Sequence, residues 1–179
     1  MAKKEKTLLK LDLGCGEHKK EGFLGVDRSK VKGVDQVVDL SKYPWPWKDG
    51  SVGEVHCSHF FEHVPGMMRP RFMDELHRIL EKGAKAVIIV PYGNSDRAVQ
   101  DYTHAWPPVV AESFLYFNKE WRTKNGLTHG DYAMKCDFDF GYGYALDPSV
   151  ATRSADVQQF SLRHYQNAAS DLMVTLTKK

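Results

Sequence analysis

The 179-residue chain contains only three cysteines, Cys15, Cys57 and Cys136. Their odd number and wide spacing exclude a disulfide framework and a paired-cysteine finger, and fit free thiols in a reducing compartment. No apolar run is long enough to cross a bilayer, and the basic start at residues 1–6 leads into a strand pattern, not a signal sequence. A soluble cytoplasmic protein is expected. Excess charge is nearly absent: 25 Lys and Arg face 23 Asp and Glu, for a net +2. The Lys3, Lys4, Lys6 cluster and the Lys178-Lys179 end read as solvated termini, which disfavours a nucleic-acid partner. There is no linker-like Pro/Gly/Ser stretch, internal repeat or low-complexity segment, so one domain over 1–179 is expected.

Short apolar runs are present in number. Segments 7–13, 23–26, 36–38, 52–57, 85–91, 136–145 and 171–177 read as seven strands, the sixth weakened by Gly141 and Gly143. Residues 71–80 carry a helical pattern, with Phe72, Met73, Leu76, Ile79 and Leu80 on one side. Asp74, Glu75, His77, Arg78 and Glu81 fall mostly opposite; Pro70 suits the first turn and Lys82-Gly83 the exit. Only residues 17–22 separate the first glycine turn from the second strand, too few for a full crossover helix. One sheet face is then thinly covered, and a second copy of the chain is a candidate to bury it. Residues 92–135 lack periodicity but are rich in aromatics, the signature of a partly helical cap inserted over a site. Phe114 and Phe117 within it read as satellite core.

Asp12-Leu13-Gly14-Cys15-Gly16 closes the first strand, and Asp27 closes the second, followed by Arg28. Paired glycines let a backbone approach a ligand closely, although a plain strand-exit turn uses them too. A carboxylate at the next strand end can accept hydrogen bonds from both hydroxyls of a ribose. Asp39 at the end of the third strand could bond an adenine amino group while Leu40 packs on the ring, or could simply brace a turn. A dinucleotide would need a glycine near position 19 and a helix facing its pyrophosphate; the residue is Lys19 and the helix has no room. The pattern suits a cofactor with a ribose and no phosphate.

Leu11-Asp12-Leu13-Gly14-Cys15-Gly16, Gly25-Val26-Asp27, Val38-Asp39-Leu40 and Ser58-His59-Phe60-Phe61-Glu62-His63-Val64 together resemble the class I S-adenosylmethionine-dependent methyltransferases. The likeness is greatest to the branch in which Pro44-Trp45-Pro46-Trp47 and Asp49-Gly50-Ser51 precede a Ser-His-x-x-Glu-His segment, and it covers about residues 8–92. More faintly, Asp101-Tyr102-Thr103-His104 and residues 113–117 resemble the same branch. The resemblance implies a Rossmann-like three-layer α/β sandwich whose seven-stranded, mostly parallel sheet ends in an antiparallel strand. It implies S-adenosyl-L-methionine as cofactor, with Gly14 to Gly16 beside the methionine part, Asp27 on the ribose, Asp39 and Leu40 at the adenine, and Ser58 and His59 on the opposite wall. With Asp12, Leu13, Cys15 and Arg28, these residues form the expected cofactor set. His18 stands where many members carry a third glycine.

A sulfonium methyl is already reactive, so the acceptor needs to be held in line and kept dry, with no nucleophilic side chain. An oxygen or nitrogen acceptor can still require a base, for which His59, His63, Asp101 and His104 are candidates. His59 and His63 also share a helical face just after His56 and Cys57, but without a complete zinc ligand set, so no metal is assigned. The expected function is methyl transfer to a small-molecule acceptor selected by the cap. The alternatives are a non-catalytic module that binds the cofactor and a metal-dependent hydrolase.

Overall fold

Residues 7–179 are described by a computed structural model; Lys3, Lys4 and Lys6 lie outside them. Seven strands form one sheet: β1 (Leu9–Leu13), β2 (Leu24–Asp27), β3 (Gln36–Val37), β4 (Val52–Ser58), β5 (Leu80–Pro91), β6 (Phe138–Leu146) and β7 (Ala169–Lys178). Their spatial order is β3-β2-β1-β4-β5-β7-β6. The first five run parallel, and β7 inserts antiparallel between β5 and β6. This is a Rossmann-like α/β sandwich, as the sequence implied. Gly141 and Gly143 do not break β6, because both pair with β7, opposite Thr175 and Met173.

The central strands have core-facing residues at or near complete burial, including Leu11 and Leu13 of β1, Val52 and Val55 of β4, and Ala86, Ile88 and Val90 of β5. Each large apolar side chain removed from water in this way contributes about 1.5–3 kcal/mol. Helix α1 (Arg69–Ile79) packs Phe72, Met73, Leu76 and Ile79 into the same core. It stops one residue earlier than the pattern predicts, because Leu80 turns extended and pairs with Val52. Lys82 and Gly83 therefore sit inside β5, where the register slips between Val52↔Leu80 and Glu54↔Lys85, rather than at a helix exit. Glu75 also departs from its expected solvent position. It is buried, accepts the Trp45 N–H at 2.6 Å and forks with Arg78, since a buried backbone donor requires an acceptor.

No helix joins β1 to β2 or β2 to β3; turns take their place. Buried Asp12 stabilises the first of these turns by accepting the Lys20 N–H at 2.7 Å and lying 2.8 Å from His56 Nδ1. Beyond β5 come the short helices α2 (Asp96–Val99) and α3 (Lys119–Lys124), and 3-10 turns over Ala111–Phe117 and Gly130–Tyr132. Phe114 and Phe117 are buried with Phe61 and Phe140 around them. Aperiodic backbone here is held by buried arginines that collect carbonyls. Arg69 donates to Val64, Ala105 and Pro107, and Arg122 to Tyr116, Met134 and Cys136. Helices α4 (Pro148–Ala151) and α5 (Ala155–His164) connect β6 to β7. Among the described residues no helix is long and apolar enough to cross a membrane.

Candidate active site

A cleft of about 780 Å³ opens at the carboxyl ends of β1, β2 and β4, where open α/β sheets generally bind ligands. Its floor is the turn after β1. The N–H groups of Gly14 and Cys15 both donate to the Val26 carbonyl, at 2.8 and 3.1 Å. Gly14 adopts φ +71, and a Cβ there would lie 2.3 Å from the Phe60 ring, so any side chain would be excluded twice over. Gly16, at φ +48, has nothing within 4 Å of its would-be Cβ and lines the cleft.

Asp27 faces this floor. Its carboxylate accepts the Gly16 N–H at 3.1 Å on one oxygen and the Ser29 N–H at 2.9 Å on the other. Each oxygen keeps a further lone pair for a ligand hydroxyl. Asp39 combines the two roles open to it. It lines the cleft while accepting the Ser41 hydroxyl at 2.6 Å and the Ser41 N–H at 3.1 Å. The Ser41 hydroxyl, then its amide, hold this carboxyl below the ordinary aspartate range. Arg28 and Leu40 complete the wall.

The opposite wall begins where β4 ends. His59 takes a left-handed backbone, φ +53, and its N–H donates to Ile89 at 2.8 Å. A β-carbon residue in this region is strained and persists only where its surroundings fix it. His59 Nδ1 lies 3.4 Å from Glu62 Oε1, and its Nε2 lies 3.9 Å from Asp171 Oδ1. The Glu62 carboxylate raises the His59 pKa above 6.5, against the opposing effect of burial. A 3-10 turn over Phe61–His63 then brings His63 to the cleft, with Nδ1 at 3.2 Å from the Thr103 hydroxyl and 3.3 Å from its carbonyl. His104 Nδ1 lies 3.1 Å from the Ala98 carbonyl, and its Nε2 lies 3.8 Å from Asp101.

Of the expected set, Gly14, Gly16, Asp27, Arg28, Asp39, Leu40, His59 and His63 border the cleft directly. Asp12 and Leu13 lie buried beneath it, while Cys15 and Ser58 belong to the floor turn and the end of β4. Asp101 and His104 stand behind Thr103 at the rim. The cleft also takes in Tyr43, Phe60, Val64, Pro65 and Met68. Of these, Phe60 and Val64 fall within the Ser58–Val64 motif and Tyr43 lies beside the Pro-Trp-Pro-Trp run; Pro65 and Met68 carried no sequence signal.

Residues 11–88 match the family model described as a methyltransferase domain. The Rossmann-like fold of the chain recurs in solved methyltransferase structures. Among solved structures it is similar to an S-adenosylmethionine-dependent methyltransferase from Archaeoglobus fulgidus, at 18% identity and a TM-score of 0.62. That match covers 97% of this chain and 87% of the other. A second such enzyme, from Mesorhizobium loti, matches at 15% identity and a TM-score of 0.57, covering 96% and 91%. The [4+2]-cyclase SpnF matches at 16% identity and a TM-score of 0.54, covering 96% of this chain and 75% of its own. No curated protein matches the chain significantly. The domain match covers residues 11–88, less than half of the chain, and the solved structures share its fold. The fold alone does not fix the reaction, as the cyclase illustrates.

Proposed function

We propose that this chain transfers the methyl group of S-adenosylmethionine to an oxygen or nitrogen atom of a small-molecule acceptor. The observation that carries the reading is the Asp27 carboxylate, held by the glycine turn it faces and bordering a cleft with room for a cofactor and a small partner. Behind the glycine turn no helix begins among the described residues, so the site lacks the usual helical grip for a pyrophosphate. When bound, the cofactor supplies an electrophilic methyl on a sulfonium sulfur.

In this reading Asp27 accepts the ribose hydroxyls, Leu40 packs on the adenine and Asp39 meets its amino group through the oxygen turned from Ser41. Gly14, Cys15 and Gly16 bring backbone up to the methionine part, with Asp12 and Leu13 fixing the turn from beneath. Arg28 and Ser58 sit at the two ends of the cofactor wall. His59 is the base we assign, because Glu62 occupies its Nδ1 side and leaves Nε2 to take the acceptor's proton. His63, Asp101 and His104 form the neighbouring rim. The part of the 92–135 insertion that reaches the cleft is the Thr103 segment, anchored by Arg69, and we assign acceptor selection to it.

Thermal denaturation with S-adenosylmethionine tests binding: at about a hundred times its Kd the cofactor adds about 2.7 kcal/mol of stability. Turnover is then read as S-adenosylhomocysteine release across a panel of hydroxylated and amine-bearing small molecules. Stabilisation by a dinucleotide in place of S-adenosylmethionine would overturn the reading. Cofactor binding without product across the panel would instead favour a non-catalytic module.

A further inference from the structure

We propose that Glu62, His63 and His104 form a binding site for a divalent transition-metal ion of the zinc type, at the rim of the cleft. One ligand atom from each of the three lies within 4.8 Å of the others. Two independent features suit these groups to a cation. First, Glu62 is buried, and its Oε2 has no hydrogen-bond partner even though Oε1 faces His59. A buried carboxylate oxygen left bare is costly unless a cation or donor meets it. Second, both histidines have Nδ1 beside backbone carbonyls, His63 at Thr103 and His104 at Ala98. A ring whose Nδ1–H donates to a carbonyl carries its lone pair on Nε2, the arrangement that orients and fixes metal-ligating histidines. The two rings meet edge to face with centroids 5.0 Å apart.

Two imidazoles and one carboxylate select zinc, cobalt or ferrous ions over magnesium or calcium, which prefer oxygen ligands alone. Bonds of about 2.05 Å in a tetrahedral site put ligand atoms about 3.3 Å apart, a contraction that side-chain torsions can supply. Three protein ligands leave a coordination position open, and His63 also lines the cleft. Asp101, 3.8 Å from His104 Nε2, adds a second carboxylate near the ion. The pattern His59-x-x-x-His63 suggested a different pair from the sequence. The fold turns His59 toward Asp171 and brings His104 to His63 from the segment after β5.

The test is titration of chelator-treated, dialysed protein with Co²⁺, followed by its visible absorption bands, with Zn²⁺ as competitor and Mg²⁺ as comparison. One Co²⁺ per chain is expected, displaced by Zn²⁺ and not by Mg²⁺. His63→Gln, His104→Gln and Glu62→Gln should each weaken binding at least tenfold, with unchanged circular dichroism, while His164→Gln on α5 leaves it intact. Should a variant not fold, the unmutated protein still decides. On adding Zn²⁺, histidine-selective ¹⁵N spectra should shift the Nε2 signals of two rings. Absence of Co²⁺ bands, binding unaffected by the three substitutions, or no such shift overturns the site, and Glu62 is then a structural carboxylate balanced by Arg69 and His59. The site stands on its own geometry, and S-adenosylmethionine binding measured on the same samples reports on methyl transfer separately.

Discussion

Replacing Asp27 by Asn separates the two tasks its position gives it. In the free protein the carboxylate accepts backbone N–H groups from Gly16 and Ser29, at 3.1 and 2.9 Å. Hydrogen bonds to a charged group contribute about 1.5–3 kcal/mol each. Asn keeps one acceptor oxygen and turns an NH2 toward the other donor, so one such bond is lost and the free protein weakens by about that amount. If the same carboxylate also receives the ribose, cofactor binding loses a further charged contact of about 1.5–3 kcal/mol, and Kd rises about tenfold to a hundredfold. Urea unfolding of the free protein measures the first effect and isothermal titration with S-adenosylmethionine the second. Glu17→Gln, a cleft-lining carboxylate away from a strand end, is the control and should change affinity less than about threefold. A weaker fold with unchanged affinity would show that Asp27 only braces the glycine turn and would refute the ribose assignment.

Three further outcomes follow from the geometry. Gly14→Ala forces a left-handed alanine, about 1–2 kcal/mol, and drives its Cβ into Phe60, about 1–3 kcal/mol more. The midpoint in urea should drop accordingly, and an unchanged midpoint would rule out the turn geometry. Burial pushes the Glu75 carboxyl up, but the Arg78 fork, the Trp45 N–H and the Arg78 charge outweigh it and leave its pKa below 4.5. Its contribution is therefore present above about pH 4.5 and fades as pH falls through the lower folded value. In unfolding measured against pH, Glu75→Gln should remove that part of the acid dependence and cost about 2–4 kcal/mol near neutrality. For His59 the sign is reversed. Its pKa is raised, so the charged form stabilises the fold below about 6.5, and that contribution disappears as pH rises through the higher folded value. A base at His59 places the rising limb of methyl transfer above pH 6.5, and His59→Gln should abolish the limb; a limb unmoved by the substitution assigns the base elsewhere.

The seven strands and α1 were legible because strand and helix periods are local, and apolar residues at those periods have only one way to leave water. The positions of the glycine turn, Asp27 and Asp39 were legible for a related reason: each stands at or just beyond the end of a strand, and parallel strands bring their carboxyl ends to one edge. Glu75 was misread because periodicity records which positions are apolar, not which buried backbone donors need a carboxylate, and the Trp45 amide that binds it lies thirty residues away. Arg69 and Arg122 were missed likewise, since nothing in a sequence announces an arginine that will gather carbonyls from aperiodic chain.

By itself, then, the sequence determined the layered architecture and the edge of the sheet at which the cleft opens. Tertiary structure decided which rim residues meet. His104, on the segment after β5, stands against His63 because the buried Arg69 ties residues 105 and 107 to the turn that carries Glu62. Long-range contacts of this kind depend on how separate segments pack in three dimensions, and no local period encodes them.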